Sequence, residues 1–157
     1  MTHPENEPIL DYGPGSPERE ALQEELSRQS SEVVEIPCII NGELVFTGDT
    51  TTQVMPHDHG HVLATVHLAG EAEVRAACEA AVAAQESWIA MGLEARSQIF
   101  LRAADLLAGD WRMRVNAATM LNQSKTAFQA EIDAACELID FWRFNVHYAS
   151  EFHDQLQ

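Results

Sequence analysis

The sequence predicts an α+β fold, in which an N-terminal arm and helix lead into a small antiparallel sheet and then a helical bundle. Two observations carry this prediction. Residues 127–151 contain neither glycine nor proline, and their apolar residues recur every three or four positions, which is the spacing of a helical face. Upstream, Asn41-Gly42 separates two short apolar runs, a pattern typical of a β-hairpin because both central residues of a type I′ turn need positive φ.

The chain begins with a predicted arm and a short helix. Residues 1–15 are polar and rich in proline and glycine, which favours an extended arm. A helix is predicted over residues 16–30, because Ser16 can cap its first turn, Pro17 suits the first helical position and Glu18 lies near the positive end of the helix dipole.

The sheet and the bundle follow. Residues 36–68 contain the hairpin and two further predicted strands, 50–55 and 62–68, which a polar connection over residues 56–61 would join. Residues 71–153 are predicted to be helical, with breaks near glycines and a long last helix. The residues expected to face inward on these helices are Val74, Cys78, Val82, Trp88, Ile99, Leu106, Leu107, Trp111, Val115, Leu121, Phe128, Ile132, Ile139 and Trp142.

Length and charge exclude several classes of function. A chain of 157 residues fits one domain, and its net charge of −16 argues against binding to nucleic acid or to an anionic membrane surface. No apolar run approaches the length of a transmembrane helix, and the first residues have neither a signal pattern nor a transit pattern. We expect a cytoplasmic protein, or one of the mitochondrial matrix if a transit sequence has been removed.

The three cysteines do not predict a nucleophile or a disulfide framework. Cys38, Cys78 and Cys136 are odd in number and far apart, which favours a reducing compartment. Cys38 follows Pro37 in a predicted strand, whereas the other two lie on apolar helical faces. Thiols in such places are usually buried and inert, and we expect the same here.

A histidine-rich stretch is the obvious candidate for a metal site. His57-Asp58-His59-Gly60-His61 offers imidazole and carboxylate ligands, but alternate side chains of a tight turn point apart and no further ligand of suitable spacing is near. Pro56 and Gly60 favour a polar connection between strands instead. We expect no metal.

Three carboxylates form a line on the last predicted helix. Asp133, Glu137 and Asp140 are spaced i, i+4 and i+7, so they share a face and repel mildly. One interpretation is a solvated face on which Arg143 pairs with Asp140. The other is that the line faces a ligand.

Ser124-Lys125 favours helix capping over a nucleophile pair. No catalytic centre can be assembled from the residues of this chain.

Several stretches match a known family. They are Ile39-Ile40-Asn41-Gly42-Glu43, Met55-Pro56, His59-Gly60, Ala95-Arg96 and Ala104-Asp105-Leu106-Leu107. These stretches resemble the N-terminal part of the aldehyde dehydrogenases. Within that family, the motif around Gln129-Ala130-Glu131-Ile132-Asp133, Glu137-Leu138-Ile139-Asp140-Phe141 and Arg143-Phe144-Asn145 is similar to that of the 1-pyrroline-5-carboxylate dehydrogenases. The resemblance covers almost the whole chain. Asn122-Gln123-Ser124-Lys125 departs from the Glu-x-Gly-Lys of many family members.

The resemblance implies an NAD-dependent oxidation of L-glutamate γ-semialdehyde to L-glutamate, a step of proline catabolism. In that family the nucleophile, the general base and the dinucleotide-binding strands lie further along the chain. We therefore expect an N-terminal segment without catalytic or cofactor-binding residues, whose partner is the remainder of the dehydrogenase in a homo-oligomer. The arm and the edge of the hairpin are the expected contacts between subunits.

One residue is carried over from the resemblance. Glu137 would lie near the substrate entrance, as a buried-facing acid among isoleucine, leucine and phenylalanine side chains.

The alternative to the enzyme is a truncated, non-catalytic interaction chain that binds a partner or a full-length subunit through its apolar helix.

Overall fold

The computed structural model describes residues 3–155 and shows helices packed on one another beside two small sheets. The predicted fold class is confirmed. In chain order the elements are α1 Pro17–Ser31, β1 Val34–Ile36, β2 Cys38–Ile40, β3 Glu43–Val45, β4 Thr50–Met55, β5 Asp58–His67, α2 Glu71–Ala90, α3 Gly92–Ala108, α4 Arg112–Gln123, α5 Ala127–Ala130, a π-helical segment Glu131–Cys136, and α6 Glu137–Gln155.

Side-chain caps fix the starts of two helices. Ser16 Oγ accepts from the Arg19 N–H at 3.3 Å and Pro17 occupies the first turn of α1, as the sequence predicts. Thr126 caps α5, because its hydroxyl accepts from the Gln129 N–H while the Gln129 side chain accepts from the Thr126 N–H. Asp110 lies before the start of α4, whose N-cap residue is Trp111.

The hairpin is confirmed. β2 and β3 pair antiparallel with Ile39 opposite Leu44, and the turn residues Asn41 and Gly42 have φ of 53° and 80°. Only residues that tolerate a left-handed conformation can close a turn of this kind, which is why the Asn-Gly pair predicts the hairpin.

The other strands differ from the predicted arrangement. β4 and β5 pair antiparallel, but β1 adds to the far side of β5 in parallel, with Val34 opposite Ala64, so the strands form two sheets and one pairing is not antiparallel. The predicted connection over residues 56–61 is also wrong, because β5 already begins at Asp58 and only Pro56 and His57 make the turn. β1 is three residues long, and its pairing with β5 is a long-range contact that no local pattern specifies.

The buried core lies between the arm, α1, α3, α4, the π segment and α6. Ala104 and Leu107 of α3 pack against Ala135 and Ile139. A second group joins the arm to α1 and α4, and a third joins β4 and β5 to α4; these groups comprise Tyr12, Leu22 and Ala117, and Met55, Leu63 and Leu121. The arm therefore packs along its own helices.

α2 is the exception. None of its described residues, 71–90, is buried, and Val82 is 72% exposed, so the prediction that Val74, Cys78 and Val82 face inward is wrong for this chain. Other residues predicted to face inward are also exposed, namely Trp88, Ile99, Leu106, Trp111 and Phe128. A helical period shows which residues share a face, but not whether another part of the chain covers that face. Among the described residues, no helix is long and apolar enough to cross a membrane.

Candidate functional site

The last helical tract is not uniform. The sequence predicts a continuous α-helix over residues 127–151, but residues 131–136 form a π-helix between α5 and α6. Segments of this kind insert an extra residue into a helix and occur frequently at functional sites. The three predicted carboxylates, Asp133, Glu137 and Asp140, lie in and just after this segment.

The three carboxylates have different surroundings. Asp133 accepts from Lys125 Nζ at 2.6 Å. Asp140 accepts from the Asn6 side chain at 2.6 Å and from the Glu7 N–H at 2.7 Å. Two of the three carboxylates are therefore satisfied, one by a neighbouring lysine and one by the arm.

The predicted pairing of Arg143 with Asp140 is wrong. Arg143 Nη1 instead donates to Glu7 Oε2 at 2.6 Å, and Nη2 lies 3.7 Å from Asp105 Oδ1. The reason is tertiary, since the arm brings Glu7 across the helix and places its carboxylate, which is only 10% exposed, in front of the guanidinium.

Glu137 is exposed, so the expectation of a buried-facing acid is wrong for this chain. Its carboxylate has no hydrogen-bond or ion-pair partner among the side chains and backbone groups that the structure describes. It lines an open groove of about 600 Å³, in which the arm forms one wall and the π segment and α6 form the other. Arm residues Asn6, Glu7 and Ile9 face Glu137 and Phe141 across this groove.

A buried acid that the sequence did not single out lies six residues before Glu137. Glu131 is fully buried at the start of the π segment. Its carboxylate accepts from the Leu10 N–H at 2.8 Å, the Tyr12 hydroxyl at 2.6 Å and Asn116 Nδ2 at 2.8 Å. Arg112 donates to it through both Nε, at 3.3 Å, and Nη2. A carboxylate offers about four acceptor positions, so Glu131 is saturated.

The same arginine continues the network into the arm. Arg112 donates to Glu7 Oε1 at 2.6 Å and to the Pro8 carbonyl at 2.6 Å. Glu7 therefore bridges two guanidinium groups, Arg112 and Arg143. The arm, α4, the π segment and α6 meet at one connected set of charged hydrogen bonds, which are stronger than those between neutral groups.

Ionisation in this network is set by competition between burial and pairing. Burial alone would raise the pKa of Glu131, but the hydrogen bonds from Arg112, Tyr12 and the Leu10 N–H outweigh it, so the pKa lies below its usual value. Burial opposes the charge of Arg112, yet its hydrogen bonds with Glu131 and Glu7 raise its pKa further. Burial, together with the neighbouring Glu131, raises the pKa of the Tyr12 hydroxyl. Glu131 and Arg112 therefore both stay charged at neutral pH.

The cysteines divide into different environments. Cys38 is partly buried, Cys78 is exposed and Cys136 is buried, so the prediction that the helical thiols are buried is wrong for Cys78. Burial, followed by the charge of Glu131, raises the pKa of the Cys136 thiol to about 11. A thiol of this kind is a poor nucleophile at neutral pH.

The histidine stretch does not converge on a common point. His57 Nδ1 lies 2.9 Å from Ser124 Oγ, and His61 Nε2 lies 2.8 Å from the Ser30 carbonyl oxygen. Among the side chains that the structure describes, no group of three or more histidine, cysteine, aspartate or glutamate residues is placed to hold a metal ion. Ser124 bonds to His57 and Lys125 to Asp133, so the two neighbours do not form a pair with each other.

Sequence reasoning missed Tyr12, Arg112, Asn116 and Glu131 as a site. A signal was present, because Glu131 lies four residues before Ala135 and eight before Ile139, on the predicted apolar face. An acid on such a face needs partners. Those partners lie up to 121 residues away along the chain, and no spacing identifies them.

Comparison with known proteins agrees with this fold. Residues 46–157 match the aldehyde dehydrogenase family. The chain belongs to the aldehyde dehydrogenase family.

Within that family, this chain is similar to the 1-pyrroline-5-carboxylate dehydrogenases, as its motifs indicate. It is 48% identical over 151 residues to delta-1-pyrroline-5-carboxylate dehydrogenase of Agaricus bisporus, covering 96% of this chain and 28% of that protein. It is 47% identical over 150 residues to the mitochondrial enzyme of Homo sapiens, covering 96% of this chain and 27% of that protein. The chain thus spans little more than a quarter of the length of these relatives.

Solved structures show the same likeness. The structure of the Mycobacterium tuberculosis delta-pyrroline-5-carboxylate dehydrogenase bound with NAD superimposes with a TM-score of 0.94 at 48% identity, over 97% of this chain and 29% of that one. The 1-pyrroline-5-carboxylate dehydrogenase from Thermus with bound NAD gives a TM-score of 0.85 at 32% identity, over 94% of this chain and 28% of that one.

Proposed function

We propose that this chain is the N-terminal part of an NAD-dependent dehydrogenase that oxidises L-glutamate γ-semialdehyde to L-glutamate in proline catabolism. The observation that carries the proposal is the identity of 47–48% with dehydrogenases of this substrate over 96% of the chain. The motif at residues 129–145, which resembles that of the 1-pyrroline-5-carboxylate dehydrogenases, spans the end of α5, the π segment and the start of α6, where the candidate site lies.

The remainder of the dehydrogenase is the proposed partner. α2 has no buried residue among residues 71–90, and α6 exposes Phe141 at 56% and Phe152 at 65%. Apolar surface on this scale is a feature of faces that another part of a protein covers. Since the chain spans little more than a quarter of its relatives, the rest of such an enzyme is the natural cover.

NAD would bind to that remainder. α2 begins at Glu71 shortly after β5 ends, and a helix start behind a strand can accept a phosphate. Here the first turn carries Glu71 and Glu73, and the Glu73 carboxylate already accepts from the Gly70 N–H at 2.9 Å. A second anion at this position would be repelled. The start of α2 therefore does not fit the pyrophosphate of a dinucleotide.

Glu137 is the proposed substrate contact in this segment. Its carboxylate is exposed in the groove beside the arm, whereas Asp133 and Asp140 are already paired. The amino group of glutamate semialdehyde is cationic near neutral pH, so an unpaired carboxylate complements it. A neutral amide at this position would raise the Michaelis constant for the semialdehyde and leave that for NAD unchanged.

A chimaera tests both proposals. This chain would replace the matching segment of the Mycobacterium tuberculosis enzyme, and NAD reduction would be followed with 1-pyrroline-5-carboxylate as substrate. We expect turnover in the chimaera, and a raised KM for the semialdehyde in its Glu137→Gln variant. Glu86→Gln, on α2, is the matched control. A folded chimaera without turnover contradicts the function, and an unchanged KM contradicts the role of Glu137.

The second candidate is a non-catalytic chain that binds a full-length subunit through its exposed apolar face. The exposed residues of α6 favour this as well. Pull-down of a full-length dehydrogenase by the isolated chain, with no gain of turnover in the chimaera, would select it. For the isolated chain both proposals predict no aldehyde oxidation.

The proposal also includes an oligomeric state and a cellular compartment for the enzyme. A homo-oligomer would use the hairpin, where Ile39 is 71% and Leu44 is 60% exposed on a two-stranded sheet. The arm is a less suitable subunit contact, since it packs along its own helices. We place the enzyme in the cytoplasm; the human relative carries the name of a mitochondrial enzyme, and cell fractionation would decide between these compartments.

A further inference from the structure

The π segment determines where Glu137 lies. The Glu137 N–H donates to the Ile132 carbonyl five residues earlier, which is the hydrogen bond of a π-helix. In an α-helix, each residue is rotated by about 100° from the one before it, so loss of the extra residue would turn Glu137 away from its present face by about that angle. The direction of this carboxylate therefore depends on the π segment remaining intact.

Glu131 anchors the start of the segment. Its carboxylate is held by donors from two other parts of the chain, Leu10 and Tyr12 of the arm and Arg112 and Asn116 of α4. A return to regular α-helical geometry would rotate Glu131 and Glu137 relative to each other and would separate the carboxylate from some of these donors. The saturated carboxylate therefore favours the π geometry over the α geometry.

The arm holds the helix on the other side of Glu137. Asp140 accepts from Asn6 and from the Glu7 N–H, and Arg143 donates to Glu7. Residues 6–12 thus bond to the helix six residues before Glu137 and again three and six residues after it. The same arm segment forms the wall of the groove that Glu137 lines.

We propose that Glu131 is a positioning residue for Glu137: with the arm bound to it, it maintains the π segment and thereby directs the Glu137 carboxylate into the groove. This inference rests on the proposed function, because it assigns Glu137 a substrate to meet. Glu131 itself does not touch substrate. It acts on substrate binding only through the backbone of residues 131–137.

The first test needs no activity. Hydrogen exchange would be measured on the 157-residue chain for wild type, Glu131→Gln and Tyr12→Phe, with Glu71→Gln on exposed α2 as control. We expect the amides of residues 132–137 and of Leu10 to exchange about tenfold faster or more in Glu131→Gln, because hydrogen bonds to a charged group are lost. Tyr12→Phe, which removes a single donor and keeps the ring, should show a smaller increase at the same amides. Wild-type rates at 132–137 in both variants would overturn the proposal.

The second test uses the chimaera. Glu131→Gln should raise KM for the semialdehyde about tenfold and leave KM for NAD unchanged, and a double variant with Glu137→Gln should be no worse than Glu137→Gln alone, since both act through one carboxylate. Additive losses, or a fall in kcat with both KM values unchanged, would overturn the positioning role. If the chimaera has no turnover at all, the proposed function fails, and hydrogen exchange decides separately whether Glu131 maintains the segment.

Discussion

The region around Glu131 and the region formed by α2 and the hairpin are both built from apolar sequence, yet their environments are opposite. Around Glu131, the arm, α4, the π segment and α6 enclose a network of ions, and Ile139 is fully buried beside it. On α2, whose sequence also places apolar residues on one helical face, no residue within 71–90 is buried, and on the hairpin Ile39 is 71% exposed.

The difference shows which parts of the chain are complete within these residues. The buried ions Glu131 and Arg112 have partners within the described residues, because the arm returns across the helices and contacts them. The α2 and hairpin region has apolar faces that remain exposed among the described residues. Stability of the chain should therefore depend on the first region and be nearly insensitive to the second.

The largest expected effect comes from breaking the buried ion pair. Arg112→Met leaves the Glu131 carboxylate buried without its cation, and should lower the free energy of unfolding by about 3–5 kcal/mol. Urea unfolding followed by circular dichroism would measure it. The matched control is Arg75→Met, which breaks an exposed pair with Glu71 on α2 and should cost no more than about 0.5 kcal/mol. Equal losses would mean that the buried network does not support the fold.

A substitution that leaves a cavity should also affect the unfolding free energy very differently in the two regions. Ile139→Ala removes a fully buried side chain and should destabilise the chain by about 3 kcal/mol. Val82→Ala, at a position 72% exposed on α2, should change the unfolding free energy by less than about 0.5 kcal/mol. A loss at Val82 comparable to that at Ile139 would show that α2 is covered in the isolated chain.

The reactivity of the cysteine thiols should also differ between the two regions. Cys78 on α2 is exposed, whereas the pKa of buried Cys136 is raised from 9.0 to about 11, which lowers its thiolate fraction about a hundredfold near neutral pH. Iodoacetamide at about pH 8 should therefore modify Cys78 at least about a hundredfold faster, because burial adds to the loss of thiolate. Mass spectrometry of timed samples would give both rates. Similar rates would contradict the closed environment of Cys136.

Acid should weaken the Glu131 region by a smaller amount. The folded-state pKa of Glu131 lies below its ordinary value of 4.5, so the stability that its ionisation contributes is present above pH 4.5 and is lost as pH falls through the folded-state value. The difference in unfolding free energy between wild type and Glu131→Gln should shrink as pH falls from about 5 towards about 2. The paired measurements remove the effect of other acids, such as Glu25, whose pKa the Arg28 hydrogen bond lowers to about 2. A constant difference across this range would contradict the assignment.

Local signals predicted the local elements well. The Asn41-Gly42 turn, the Ser16 cap and the helix that contains Glu137 and Asp140 were predicted correctly, because each depends on neighbours within a few residues. The family could be predicted from the sequence for the same reason, since its motifs are short and contiguous. Burial was predicted poorly on α2, because a helical period is the same for a covered face and an uncovered one.

The candidate site was predicted only in part. Asp133, Glu137 and Asp140 follow from their spacing, but the predicted partner of Arg143 is wrong and Glu131 is missed. Both errors have the same origin, which is the arm. It carries Glu7, Leu10 and Tyr12 to residues more than 100 positions away, and hydrogen bonds between such distant parts of a chain leave no periodic trace in the sequence.

The sequence by itself determined the order of elements, the hairpin, the start of α1 and the family, because backbone geometry and capping are decided within one or two turns of chain. Only the tertiary structure decided the parallel pairing of β1, the π segment at residues 131–136 and the uncovered state of α2. Each of these depends on which distant segment lies alongside. The π segment shows this most directly, since residues with ordinary helical periodicity take the wider turn where a buried carboxylate meets donors from the arm and α4.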